Sequence, residues 1–388
     1  MSLTREGCLA RRARLWQSVP GDVEWLLVAD PRHVHYLCNF WVNPLSFSYG
    51  ERGLLLLERS GVATLLADNF TIRSAATTPY VDQSLAQPWY DHRHSVENRD
   101  DSLFEALRSS ASRLRGRLGL LEAEWLPVAA AAALEEAGVN LPATHAAPGA
   151  VHLGTLLRQL RRQKHADELD LLRQAMRATE AGHARAREVV RPGVSELDVF
   201  REVQSAVVGA AGRAVLIYGD FRGMNAQLPK AGGLPTAYQL QAGDLFLLDY
   251  SVMIDGYRSD FTNAISVGPP TPQQEELLAV CQAGMAAGEQ ALRAGAPARE
   301  VHASVAGAMR YSPHGATFTH HAGHGIGLAH PEPPILVPES TDVLLAGDVL
   351  TLEPGVYVPG IGGVRIEHNY LITDDGYERL SGHVIALG

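Results

Sequence analysis

The chain has 388 residues, of which 46% are hydrophobic and 20% charged, and a formal net charge of −10; this fits a globular protein of two domains and excludes long disordered stretches. Net negative charge argues against nucleic acid or an anionic membrane surface as a partner, and the basic runs at 11–14 and 161–164 read as solvated helix faces. Three cysteines (Cys8, Cys38, Cys281) without a CxxC pair, no aliphatic run longer than 54–57 and no apolar stretch near the N-terminus exclude a disulfide framework, a thiolate zinc site and a membrane span, and predict a cytoplasmic protein.

In chain order, residues 25–29 read as a buried strand that Asp30-Pro31 ends. Residues 54–57 and 62–66 flank Glu58-Arg59-Ser60-Gly61 and predict a hairpin. Helical spacing over 101–114 and a return to strand at 118–121 predict an α/β domain with a mixed sheet. The turn signal Ala146-Ala147-Pro148-Gly149 and a change of character at Lys164 place a boundary between about 150 and 163, giving domains over 1–155 and 156–388.

The second domain opens with a helix predicted over 166–190 and stopped by Pro192-Gly193. Ser195, with Asp198 three residues on, then caps another helix. Thr271, Pro272 and Gln274 form a capping box with proline in the first turn, for a helix reaching about Ala294 and ending at Gly295. The stretches 191–196 and 293–298 occupy matching places between helix pairs. Two generic helix pairs would match by coincidence; the alternative is an internally duplicated α+β domain, which would place a site between its halves.

Residues 245–251 and 258–262 are predicted strands joined by Asp255-Gly256, a two-residue hairpin signal. Pairing Ile254 with Tyr257 sets Ser251 opposite Asp260 and Asp249 opposite Thr262. Asp249 and Asp260 then lie diagonally on one face, close enough to share a metal ion; one buried and one exposed Asp is the competing arrangement. Glu353 ends the apolar run 349–352. Glu367 follows Gly363-Val364-Arg365-Ile366, with Pro359-Gly360 as the turn between, and such half-buried carboxylates need counter-charge. His320, His321, His324 and His330 crowd a glycine-rich stretch that lacks the context of a phosphate loop. Asp249, Asp260, His324, Glu353 and Glu367 are the donor set for two hard or borderline divalent ions: four negative charges balance two dications, which activate water for hydrolysis.

The stretches Leu248-Asp249, Ser259-Asp260-Phe261-Thr262, Gly323-His324-Gly325-Ile326-Gly327, Glu353-Pro354-Gly355-Val356-Tyr357 and Gly363-Val364-Arg365-Ile366-Glu367 resemble, in order and spacing, a metallopeptidase family. That family includes prolidase, Xaa-Pro aminopeptidase, methionine aminopeptidase and creatinase. The N-terminal residues 27–31, followed by Tyr36-Leu37, resemble the extra domain of its Xaa-Pro branch. The resemblance implies an α+β pita-bread catalytic domain with an internal pseudo-two-fold axis, preceded by a smaller α/β domain with a mixed sheet. It also implies two divalent ions, Mn²⁺ or Zn²⁺ first and Co²⁺ as a substitute, and a homodimer.

By the same resemblance Asp249 would bind one ion, Asp260 and Glu367 would bridge both, and His324 and Glu353 would complete the shell, with Glu353 also taking the proton of the bridging water. His320 and His330 would stabilise the tetrahedral intermediate, and Arg365 would orient nearby carboxylates. Lys230, Arg365 and Tyr357 are the substrate-binding candidates. Three departures stand out: His324 and His330 are six positions apart where the family usually has seven; Lys230 follows Pro229 where a histidine is common; and Pro333-Pro334-Ile335 stands where prolidases often carry an arginine for the free carboxylate. Lys230 can supply that charge; a loop lysine in solvent is the bland reading. The expected activity is Xaa-Pro dipeptidase, acting on proline-containing dipeptides, with Xaa-Pro aminopeptidase acting on longer peptides as the alternative. A catalytically dead binding module and a metal-free creatinase-like hydrolase are disfavoured, because all five ligand positions are intact.

Overall fold

The computed structural model describes residues 2–43, 52–141 and 151–388; the turn signal at 146–149 lies outside them. The chain forms two compact units, Met1–Arg161 and Arg162–Gly388. The first contains α1 (Arg5–Ser18), β1 (Trp25–Val28), α2 (Pro31–Cys38), β2 (Leu54–Glu58), β3 (Ala63–Asp68), α3 (Asn69–Arg73), β4 (Gln83–Gln87), α4 (Arg99–Leu114), β5 (Gly119–Leu121), α5 (Val128–Glu136) and α6 (Leu153–Leu160). Its sheet runs β4-β3-β2-β1-β5, antiparallel at β1–β2 and β2–β3 and parallel at β3–β4 and β1–β5. Strands β1 to β3 are buried along their whole length, which explains their unbroken apolar runs. Leu103, Phe104, Leu107, Ala111 and Leu114 of α4 join Trp25, Leu27, Leu54 and Leu56 in one core.

The second unit contains α7 (Ala166–Val189), α8 (Glu196–Ala211), β6 (Leu216–Met224), β7 (Leu245–Ile254), β8 (Tyr257–Arg258), β9 (Phe261–Ser266), α9 (Pro272–Ala291), α10 (Ala298–Met309), β10 (His324–Gly325), β11 (Glu332–Ile335), β12 (Val349–Leu352), β13 (Gly355–Val358), β14 (Gly362–Arg365), β15 (His368–Ile372) and β16 (Tyr377–Arg379). Strand β7 pairs with β6, β8 and β9; a second sheet runs β11-β10-β12-β15-β16, and β13–β14 is a hairpin. The capping boxes at Ser195–Asp198 and Thr271–Gln274 are both formed.

The two halves of this unit repeat one another in detail. Gly193 N donates to Leu240 O and Leu240 N to Val194 O; Gly295 N donates to Leu344 O and Leu344 N to Ala296 O. Gly243 N donates to Val267 O, as Gly347 N does to Ile372 O. Gly193 and Gly295 turn the chain with φ of 85° and 83°, and Gly243 and Gly347 with 93° and 94°. Strand β7 thus corresponds to β12 and β9 to β15. Asp249 and Glu353 occupy equivalent places, each five residues beyond a buried aspartate, Asp244 or Asp348, that caps the preceding turn. Helix α9 stops at Ala291, short of the Ala294 that its pattern suggests. The reason is tertiary: Ala294 N and Gly295 N are drawn to Thr373 O and Leu344 O, so the last residues pair instead of coiling.

Helix α7 is seated against β7 next to the site. The Tyr250 hydroxyl donates to Thr179 O at 2.7 Å, and a Cβ at Gly182 would lie 2.1 Å from the Tyr250 oxygen and 2.8 Å from Val207. Overpacking of this kind costs about 1–3 kcal/mol, so Gly182→Ala should lower the chemical denaturation midpoint by a corresponding amount; an unchanged midpoint would contradict this close seating.

Candidate metal centre

Asp249 projects from β7, Asp260 from the break between β8 and β9, His324 from β10, Glu353 from the end of β12, and Glu367 from the step between β14 and β15. Asp255 and Gly256 turn the hairpin with φ of 44° and 85°, Ile254 pairs with Tyr257, and Asp249 pairs with Thr262. The ladder opens at Asp260, whose backbone N–H donates to Asn369 Oδ1 at 3.2 Å while its carbonyl accepts from Asn369 Nδ2. Asn369 thereby fixes the peptide that carries the Asp260 carboxylate.

The five side chains converge. Ligand atoms of Asp249, Asp260 and Glu367 lie within 4.8 Å of one another, as do those of His324, Glu353 and Glu367, so Glu367 belongs to both clusters. His324 Nε2 is 3.5 Å from Asp260 Oδ2 and 3.5 Å from Glu353 Oε1. His324 Nδ1 faces the Gly325 carbonyl at 3.0 Å, which fixes the tautomer with Nε2 as the free donor atom for a ligand. Thr262 Oγ1 donates to Glu367 at 2.6 Å and Thr351 Oγ1 to Glu353 at 3.2 Å. Behind the ladder, His183 and His383 each hold a backbone carbonyl, of Phe261 and Thr262, at 3.1 Å. Burial keeps both rings neutral, His383 being pushed down to about 4.

The remaining expected residues take distinct places. His330 Nε2 lies 2.7 Å from Asp260 Oδ2, so Asp260, His324 and His330 form a further potential ligand group. His320 has both nitrogens engaged: Nδ1 faces the His321 carbonyl at 2.8 Å and Nε2 faces the Tyr357 hydroxyl at 3.2 Å. Its ring therefore orients Tyr357 rather than offering a free N–H to a reacting carbonyl. Arg365 donates to Asp249, to Asp220 at 3.0 Å and to the Tyr357 oxygen at 3.1 Å. Lys230 is exposed, with Nζ 4.8 Å from the Tyr357 ring centroid. Sequence reasoning missed four participants, Asp220, Thr262, Thr351 and Asn369, and gave no role to His321, whose Nε2 lies 3.0 Å from Glu353. The histidine cluster itself was the signal for His321. Asp220 had none, because Gly219, Arg222 and Gly223 disguise β6 as a loop.

The electrostatics fit a pair of cations. Burial, together with the charges of Asp260, Asp220 and Glu353, lifts the Asp249 carboxyl to about 6 against the pull of Arg365. Burial and the charges of Asp260, Glu353 and Asp249 raise Glu367 well above the usual carboxylate range. Glu367 Oε1 is buried with no hydrogen-bond partner among the described residues. Glu353 differs: burial opposes its ionisation, yet the His321 hydrogen bond and the positive charges beside it, Arg365 among them, hold it down at about 2. An oxygen-rich set with one imidazole, an orphaned carboxylate oxygen and raised carboxyl pKa values fits a pair of divalent ions.

Ligands must lose their protons to bind. With Asp249 near 6 and Glu367 raised, ion binding should release protons, and apparent affinity should climb as pH rises through about 6. Calorimetric titration of the metal-free protein with Mn²⁺, in buffers of different ionisation enthalpy, reads the release directly; heats independent of buffer would contradict it.

Among known proteins, metallopeptidase family M24 matches residues 170–374, and the creatinase/prolidase N-terminal domain matches residues 21–162. A probable dipeptidase PepE of Mycobacterium tuberculosis is 34% identical over 247 residues, which span 61% of this chain and 65% of that protein. The chain thus aligns with just under two thirds of the length of this relative. An Xaa-Pro dipeptidase from Bacillus anthracis superposes with a TM-score of 0.75 at 24% identity, covering 99% of both chains. An X-Pro aminopeptidase from Thermotoga maritima superposes with 0.77 at 17%, covering 98% of both. These superpositions give the pita-bread fold with a smaller N-terminal domain, as the motifs implied. With the match over residues 170–374 spanning more than half of its length, the chain belongs to metallopeptidase family M24.

Proposed function

We propose that this protein is a metal-dependent peptidase that hydrolyses Xaa-Pro bonds, with Xaa-Pro dipeptides as its preferred substrates. The observation that carries this reading is the pair of carboxylate clusters joined at Glu367, one completed by His324. Asp249, Asp260, His324, Glu353 and Glu367 would hold two divalent ions, Mn²⁺ or Zn²⁺ in first place and Co²⁺ as a substitute. When bound, such a pair supplies Lewis acidity and makes water a nucleophile at neutral pH.

The protein's own groups do the rest. Glu353, held ionised beside His321, takes the proton of the attacking water. That proton passes to the leaving proline nitrogen, which has no hydrogen of its own, as the C–N bond breaks. His321 and His330 lie within hydrogen-bond reach of Glu353 and Asp260, which sets both rings beside the reacting groups. Lys230, over the Tyr357 ring, supplies a point charge for the free carboxylate of a dipeptide.

One observation favours the second reading, an Xaa-Pro aminopeptidase acting on longer peptides: Pro333-Pro334-Ile335 offers no guanidinium to grip a carboxylate. We place the protein in the cytoplasm, in keeping with three buried cysteines that form no disulfide and with no helix among the described residues long and apolar enough to cross a membrane. A homodimer is the assembly we propose, since among the described residues β6 leaves one edge without a strand partner and exposes Tyr218; light scattering would read it, and a monomer would rule it out.

Hydrolysis of Ala-Pro, Ala-Pro-Ala and Ala-Ala compared with Mn²⁺ or Zn²⁺ present tests the assignment. Ala-Pro should be cleaved fastest. Tripeptide cleavage at a comparable rate would transfer the assignment to an aminopeptidase, and cleavage of Ala-Ala alone would overturn both proline readings. Full activity after exhaustive chelation would overturn the metallopeptidase reading. Glu353→Gln should keep its circular dichroism spectrum and lose turnover by about 10²-fold or more, in line with removal of a general base; near-normal turnover would remove Glu353 from that role.

A further inference from the structure

Asp220 lies outside every motif that supplies a metal ligand, yet it stands at the junction of the metal centre and the loop that carries Lys230. It lies on β6 directly opposite Asp249 on β7. Two like charges so placed repel, and the Arg365 guanidinium sits between them, with one nitrogen, Nη2, donating to both carboxylates. The other Asp220 oxygen accepts from Gly233 N at 2.6 Å, beside the bond from Phe221 N to Gly233 O at 3.1 Å.

Gly233 belongs to the segment between β6 and β7, which is tied down at its other end as well. Gly360 N donates to Ala226 O at 2.9 Å, and the Pro229 carbonyl lies so close to Gly363 that a Cβ there would be 2.1 Å away. Lys230 follows and lies over Tyr357, whose oxygen accepts from Arg365. The contacts close a ring: Asp220 to the Gly233 backbone, along the segment to Lys230, across to Tyr357, then to Arg365 and back to Asp220.

We propose that Asp220 is a positioning residue with two tasks. It shares Arg365 with Asp249, leaving the Asp249 carboxylate available to an ion. It also anchors the segment that presents Lys230 to substrate. Without the Asp220 charge, Arg365 would have Asp249 as its sole carboxylate partner in this ring and would compete with the ion for it. Without the Asp220 acceptor, the Gly233 end of the segment would lose its tie. This inference rests on the proposed dinuclear peptidase reading.

Two variants separate the tasks. Asp220→Asn keeps an oxygen for Gly233 N and removes the charge; Asp220→Ala removes both. Mn²⁺ titration followed by calorimetry, with no substrate present, should show ion affinity about tenfold weaker in Asp220→Asn, the order expected for one unscreened charge a few ångströms from the site. With each variant saturated with Mn²⁺, KM for Ala-Pro should stay near the wild-type value in Asp220→Asn and rise several-fold in Asp220→Ala. Should Asp220→Ala fail to fold, the Asp220→Asn titration still decides the electrostatic task, and Asp220→Leu, which keeps the size of the asparagine side chain but offers Gly233 N no acceptor, decides the anchoring task through the same KM comparison. Wild-type protein that binds Mn²⁺ while Asp220→Asn binds it equally well overturns the electrostatic task alone, and an unchanged KM in Asp220→Ala overturns the anchoring task. Wild-type protein that binds no Mn²⁺ overturns this role and the peptidase reading together.

Discussion

Four carboxylates point at one another from a largely buried floor, and the protein supplies too little positive charge to hold them there. Arg365 is divided between Asp249 and Asp220, and the imidazoles of His321, His324 and His330 face Glu353 and Asp260, so Glu367 has no cationic partner among the described residues. The deficit appears in the raised Asp249 and Glu367 carboxyls and in the unpartnered Glu367 oxygen. An uncompensated cluster of this kind would be expelled from a core on energetic grounds. Here the surrounding framework holds it in place: a threonine hydroxyl on each glutamate, Asn369 on the Asp260 peptide, and two neutral histidines on the carbonyls behind.

The framework can do this because it is a repeat. Each half brings a helix pair, a positive-φ glycine turn and an aspartate-capped loop into a strand, and at the same step along that strand one half presents Asp249 and the other Glu353. Duplicating one local geometry thus delivers two carboxylates to a shared centre from opposite sides. Glu367 joins the clusters because the chain steps from the β13–β14 hairpin into β15 at that point. The hairpin also carries Arg365 and Tyr357, so the groups that tune the acids and those beside the Lys230 segment share one rigid element.

Much of this was legible in the amino-acid order where the signal is local. The Asp255-Gly256 turn set the register that places Asp249 opposite Thr262, and two capping boxes marked helix starts. What local pattern could not carry was decided by distant partners. Helix α9 ends early because the chain finds Thr373 and Leu344; Asp260 leaves its ladder because Asn369 takes its peptide; and Asp220 gains meaning only once β6 lies beside β7. His320 illustrates the same limit: the family resemblance implied a donor to the tetrahedral intermediate, while its Nδ1 faces the His321 carbonyl and its Nε2 the Tyr357 hydroxyl.

The central claim is that these five side chains form one dinuclear centre with Glu367 between two ions. Anomalous diffraction from crystals grown with Mn²⁺ tests it most directly. The account predicts two anomalous peaks in each chain, one against Asp249, the other against His324 and Glu353, with Asp260 and Glu367 reaching both. A single peak held by Asp260, His324 and His330, or no peak among these residues, would contradict it.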